Sequence, residues 1–207
     1  MVWFRNCFYQ WRFNLTNKSI ISLIALSFFI ISATTQAEER KTYYDNGNLK
    51  TIANFKNGKA EGEAKTFYEN GNLKEIGNYK NDKLEGERKF FYDNGNLKTI
   101  ANFKNDKMEG EAKTFYENGK LQAIGNHKNG KAEGEAKSFD ENGKLRAIGN
   151  FKNGKAEGEA KEFYENGNLN TVVKFKNGKP IEGYMYDMNG KKTKMTEAHL
   201  YNIMQEP

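Results

Sequence analysis

A 24-residue phrase is written six times in this chain, and that period constrains the fold more than any single residue does. Its marker glycines are Gly47, Gly71, Gly95, Gly119, Gly143 and Gly167, and a seventh, Gly190, follows 23 residues later. A fixed period of this length specifies stacked like units, each burying apolar surface against its neighbours. Residues that recur in every copy are then scaffold. Chemistry confined to one place has to be sought among the residues that do not recur.

Residues 1–37 stand apart from the repeats. They carry Arg5, Arg12 and Lys18, no acidic residue, and an apolar run from Ile20 to Ala33 that leads into Thr35-Gln36-Ala37. At 14 residues the run is short, since a bilayer span takes roughly 20. It reads as the core of a cleavable secretory signal, with an uncleaved anchor as the alternative. No cysteine follows it where a lipid anchor would need one. Loss of 1–37 would remove Trp3, Trp11 and the sole cysteine, Cys7, so neither a disulfide framework nor a cysteine metal site is expected. Three basic residues leave as well, so 33 Lys+Arg become 30 against 27 Asp+Glu, and the net charge falls from +6 to +3. Acid and base are interleaved along the remainder. Nucleic-acid binding needs a one-signed patch, so no nucleic-acid partner is expected.

Asn-Gly recurs at two places in most copies, as in Asn57-Gly58 and Asn70-Gly71. Such steps between alternating residues signal hairpin turns, which makes each copy two strands, about 48–56 and 62–69 in the first. A two-residue turn at Asn70-Gly71 pairs Tyr68 with Leu73, Ala64 with Gly77 and Gly62 with Tyr79. A longer loop over Asn57–Ala60 pairs Lys56 with Glu61, Phe55 with Gly62 and Ala53 with Ala64. Both closures put the same set on one face: a Leu/Tyr row, an Ala/Gly row and an aromatic row alternating with glycine. The other face carries Ile52, Phe67, Ile76, Phe91 and their equivalents as an apolar ridge, bordered by Lys50, Lys65, Lys74, Lys89 and Glu63, with lysine stems that can lie over it. Neither face then reads as a full core. The expected fold is all-β: an elongated, single-layer antiparallel sheet of about twelve or thirteen strands, on the order of 60 Å long at about 4.8 Å per strand. The repeat domain spans 38–190. Residues 191–207 form a cap, with Thr196 capping a short helix that presents Leu200, Ile203 and Met204 on one side and covers the exposed edge of the last strand.

A catalytic site needs unlike groups brought together once, and none is legible here. His127 and His199 have no cysteine partner and no local metal spacing, and His127 occupies the ring slot filled by Tyr79 and Phe103. Repeated Glu61 and Glu63 read as a solvated charge row. No enzyme activity, cofactor, metal or small-molecule substrate is expected. The exceptions between copies are Arg88 in the small-residue row, Phe90 in a row of Thr and Ser, and Asp140 in place of a tyrosine. Drift among duplicated units accounts for such exchanges. Alternatively copy two, with Arg88, Phe90, Phe91 and Tyr92, marks an interaction patch, where a guanidinium and large rings are favoured.

The phrase Phe-Tyr-Glu-Asn-Gly-Asn-Leu-Lys, followed by Gly-Asn-Tyr-Lys-Asn and Glu-Gly, resembles the bacterial variant of the MORN repeat, and in particular proteins grouped as YwqK-family antitoxins. The resemblance covers about residues 43–190 and implies hairpin repeats in one sheet. It implies protein scaffolding, dimerisation or phospholipid contact, and the antitoxin grouping implies neutralisation of a partner toxin. Three expectations follow: an exported scaffold at the periplasm or cell surface that binds another protein or a homodimer mate, an immunity-type antitoxin, and a membrane-surface binder acting through the Lys-flanked ridge.

Overall fold

The computed structural model describes residues 37–205. The expected signal therefore lies outside the described residues, apart from Ala37. The strands are β1 (Ala37–Tyr43), β2 (Leu49–Lys56), β3 (Lys59–Phe67), β4 (Leu73–Lys80), β5 (Lys83–Leu84), β6 (Gly86–Phe91), β7 (Leu97–Lys104), β8 (Lys107–Phe115), β9 (Leu121–Lys128), β10 (Lys131–Phe139), β11 (Leu145–Lys152), β12 (Lys155–Ala156), β13 (Gly158–Phe163), β14 (Leu169–Lys176), β15 (Lys179–Tyr186) and β16 (Lys192–Lys194). One helix, α1 (Glu197–Gln205), follows. The sixteen strands make one open antiparallel sheet ordered as in the sequence. There are more strands than expected because β1 and β16 flank the repeats and bulges cut off the short β5 and β12. The described residues form two compact units, 37–110 with 117–119 and 111–116 with 120–205.

In the first unit the middle of each strand pairs as the sequence predicts: Ala53 faces Ala64, Ala64 faces Gly77, and Gly62 faces Tyr79. The turns differ. Asn57 and Gly58 both have positive φ, 53° and 74°, so the tight two-residue type I′ turn is here. Phe55 consequently faces Ala60 and Lys56 faces Lys59, not Gly62 and Glu61. The resulting difference in register is taken up by a bulge opposite Asn54 that includes Gly62, whose φ of 96° suits a residue without a Cβ. At Asn70-Gly71 only the glycine has positive φ. Gly71 N donates to Tyr68 O (2.9 Å) and Tyr68 N to Asn72 O (2.8 Å), which makes a three-residue loop ending in a glycine bulge. A further register shift then sets Phe67, not Tyr68, opposite Leu73. The leucine row therefore joins the phenylalanine side of the sheet.

The two faces are unequal. Thr51, Ala53, Phe55, Ala64 and Tyr79 are buried, and alternation puts them on one side. Short Ala and Thr side chains lie beside a row of rings, so one face is a thin core in its own right. The expectation that neither face is a core is corrected on this side. Ile52, Phe67, Ile76 and Phe91 on the other side are only half-buried.

The second unit repeats the scheme, with Ala136 facing both Gly125 and Gly149 and Gly158 facing Phe175. Its end is closed differently. Val173, Phe175, Ala160, Met195 and Ile203 form a buried cluster, against which Leu200, Met185 and Ala156 pack. The helix therefore covers the inner face of the last hairpins rather than the edge of the final strand. That edge belongs to β16, which is three residues long and lysine-rich, a composition that discourages further pairing. Thr196 caps the helix as expected: His199 N donates to Thr196 Oγ1 (3.3 Å), and His199 Nδ1 accepts from Thr196 N (3.2 Å).

Candidate interaction surface

The half-buried face is built from two kinds of row. Phe67 stands opposite Leu73 and Phe91 opposite Leu97, which gives an apolar row. Beside it, Ile52 lies between Lys41 and Lys65, and Ile76 between Lys65 and Lys89. The Ile/Phe ridge of the sequence reading is thus a Leu/Phe row next to an Ile/Lys row. The reason is the loop bulge, which shifts phenylalanine onto leucine. Each lysine that flanks an isoleucine across the strands is also neutralised on its own strand. Lys41 pairs with Glu39 (2.7 Å), Lys65 with Glu63 (2.5 Å), Lys89 with Glu87 (2.5 Å) and Lys137 with Glu135 (2.6 Å). Such partly exposed pairs contribute at most about 1 kcal/mol each, but they neutralise the lysines beside the isoleucines. Further lysines lie over tyrosine rings, Lys50 on Tyr44 (5.1 Å) and Lys74 on Tyr68 (5.3 Å).

Side chains of one copy hold the backbone of the next. Tyr44 Oη donates to Phe67 O (2.7 Å), Tyr68 Oη to Phe91 O (2.8 Å) and Tyr164 Oη to Tyr186 O (2.7 Å). Asn48 and Asn72 donate to Glu69 O and Asp93 O, each at 2.7 Å, while Lys144 Nζ donates at the same place to Glu165 O (2.9 Å). Glu61 accepts from Asn81 N (2.8 Å) and Glu133 from Asn153 N (2.8 Å). Glu61 is therefore a turn clamp as well as a solvated charge. Asp140, in a tyrosine slot, cannot reach forward and instead accepts from Lys144 N and Asn142 N of its own loop, at 2.9 Å each. Those backbone bonds, that from Lys144 first, hold its carboxyl below the usual range.

The patch expected in copy two is differently arranged. Arg88 turns inward with only 2% of its side chain exposed, and donates Nε and Nη2 to Glu75 Oε1, itself 6% exposed. Its guanidinium lies over the Phe90 ring (4.7 Å) and near Phe103 (6.0 Å). Arg88 is thus part of the inner face and not of a contact surface, while Phe90, Phe91 and Tyr92 are half-buried. Burial raises the Glu75 carboxyl, and the Arg88 charge opposes that only in part. Burial also pushes the neighbouring Tyr79 phenol to about 12. Leu84 is fully buried, its Cδ1 3.1 Å from where a Cβ on Gly77 would lie. The sequence reading missed Glu75 and Leu84. The signal was there: Glu75 replaces the Thr of Thr51 and Thr99 one strand away from Arg88, so two opposite charges depart from the repeat together. His127 is buried in its ring slot, and burial lowers its pKa. Among the described residues no three His, Cys, Asp or Glu stand together as a metal site.

Residues 39–57, 60–81, 84–105, 108–129, 132–153 and 156–177 each match the family described as MORN repeat variant, and together they make up more than half of the chain. The chain belongs to that family. The boundaries of the MORN repeats fall at the type I′ turns, where one hairpin closes and the clamp from the preceding copy arrives. Such repeats are in general scaffolds for protein or membrane interaction. A comparison with curated proteins finds no match. Among solved structures, the GtfA/B complex bound to UDP and GlcNAc is 6% identical over 59% of this chain and 25% of that one, with a TM-score of 0.24. S. aureus TarM is 16% identical over 70% of this chain and 22% of its own, also at 0.24. A Bacteroides fragilis protein is 10% identical over 78% and 90% of the two chains, at 0.14. The MORN repeats thus span about a quarter or less of the first two structures, and likenesses this distant carry no argument.

Proposed function

We propose that this MORN repeat protein is an exported scaffold that binds another protein, or a second copy of itself, at the cell envelope through its half-buried face. The observation that carries this reading is that the lysines flanking the isoleucines across the strands each pair with a glutamate on their own strand, while Lys50 and Lys74 lie over tyrosine rings. A face of apolar rows between neutralised charges suits the mixed surface of a protein better than an anionic bilayer, which draws on unpaired basic residues. Export rests on the signal-like composition of residues 1–37. The reading gives the chain no catalytic role. An antitoxin role, implied by resemblance, would be a special case in which the bound protein is a toxin encoded nearby. The test is to immobilise the full chain, challenge it with envelope extract, and measure anionic-vesicle binding in parallel. Saturable capture of one protein, or a concentration-dependent dimer, together with salt-insensitive failure to bind vesicles, is expected. Monomeric behaviour with no captured protein, or strong vesicle binding at low salt, would sink the proposal.

A further inference from the structure

We propose that Asn57-Gly58 is a site of selective covalent modification, undergoing succinimide formation and deamidation that the chemically identical Asn153-Gly154 resists. Residues 54–65 and 150–161 have the same sequence. Both turns have the same shape, with φ of 53° and 74° at Asn57 and Gly58 and 52° and 79° at Asn153 and Gly154. Local sequence and local geometry therefore give both sites the same intrinsic reactivity.

What differs is the copy before them. Asn153 N is held by the Glu133 carboxylate (2.8 Å) and Gly154 N by Ala132 O (2.9 Å). The next turn is held alike, Asn177 N by Glu157 (2.8 Å) and Gly178 N by Ala156 O (2.8 Å). One period before Glu61 the chain has Ala37, which offers no carboxylate. Among the described residues no carboxylate stands where Glu133 and Glu157 do, so the amide of Asn57 lacks the charged acceptor that holds Asn153 N and Asn177 N. In the longer loops the glycine amide is engaged internally, as Gly71 N is by Tyr68 O. At Asn81-Asp82 the attacking residue carries a side chain, and its carboxylate accepts from Ala60 N (2.7 Å).

The chemistry needs only water. Gly58 N gives up its proton to solvent base and attacks Asn57 Cγ; the N–Cγ bond forms, the Cγ–Nδ2 bond breaks, and ammonia leaves. Water then opens the cyclic imide at either carbonyl, leaving aspartate or isoaspartate at position 57 with no change in oxidation state. A closed type I′ turn does not bring the glycine nitrogen onto the preceding side chain, so the rate follows local opening. A charge-assisted bond to the turn suppresses that opening. The product adds a negative charge, and as isoaspartate one extra backbone atom, to the first tight turn of the array.

The purified full-length chain, aged at mildly alkaline pH and cleaved with a glutamyl endoproteinase, separates the two sites because their flanks differ. Mass spectrometry should show Asn57 converting on the order of tenfold faster than Asn153, and the two converting equally in denaturant. Ala37→Glu should slow position 57 alone, and Glu133→Ala should speed position 153 towards it. Equal rates in the native chain, or rates that neither substitution moves, would overturn the proposal.

Discussion

Arg88 stands in a row that elsewhere holds Ala64, Gly77 and Ala101, so its charge has to be matched inside the sheet. Arg88→Ala should cost about 3–5 kcal/mol in urea denaturation at neutral pH, because it leaves the Glu75 carboxylate buried alone. The double change to the repeat residues, Arg88→Ala with Glu75→Thr, should recover that loss or exceed the parent. Glu75 is already raised from 4.5 by burial, so its stabilising contribution is full below that value and is lost as pH rises through the folded pKa. The deficit of Arg88→Ala should therefore shrink as pH falls towards 4.5. His127 has the opposite sign. Burial lowers it from 6.5, so its contribution is full above 6.5 and is lost as pH falls through the folded pKa. His127→Phe, which copies Phe103, should flatten that acid-side loss in denaturation midpoints measured across it. The ring slot of His127 was legible from its place in the period. The Arg88 pairing was not, because a side chain's partner lies across a strand while a repeat alignment compares residues along the chain.

At the level of hairpins, each copy depends on donors supplied by the one before. Tyr68→Phe removes the hydroxyl that satisfies Phe91 O and should cost about 1 kcal/mol by chemical denaturation. Asp140→Tyr should restore the missing donor one copy later and offset a similar amount, less what Asp140 contributes to its own loop. If Tyr68→Phe left stability unchanged, the ladder would have no energetic weight. At the closing hairpin a Cβ on Gly183 would run into Met195 Sδ, with Leu200 Cδ2 at 3.1 Å. Gly183→Ala should destabilise by about 1–3 kcal/mol and be largely rescued by Met195→Ala, read as thermal midpoints. Strand existence and mid-strand register were legible because a period of two and a period of 24 agree at Ala53, Ala64 and Gly77. Turn type was misjudged because both turns carry Asn-Gly. The deciding residue, Gly62, lies inside a strand, where glycine signals a bulge rather than a turn.

Across the molecule the copies are interchangeable modules, since their bonds recur with the period. Removing residues 131–154 joins Gly130 to Lys155 and restores the same local sequence. The shortened chain should fold, with an unfolding enthalpy lower by roughly 17 kcal/mol near 60 °C for the residues lost. Calorimetry showing no cooperative transition would contradict this modularity. The all-β architecture was legible because every copy states it again; the inner face did not read as a full core because its small side chains are buried only in concert with rings from other strands. In the tyrosine, asparagine and glutamate contacts alike, the earlier copy offers the side chain and the later copy the backbone. The array therefore has a prevailing direction, against which only the Asp82 and Asp106 carboxylates among these turn contacts reach back, to Ala60 N and Leu84 N. A chain made from its N-terminus presents the tyrosine, asparagine and glutamate grips before the hairpin that fills them has emerged, so assembly can advance one hairpin at a time, with those contacts unfilled at the growing end. A chain threaded in the reverse order would meet each backbone before its grip existed.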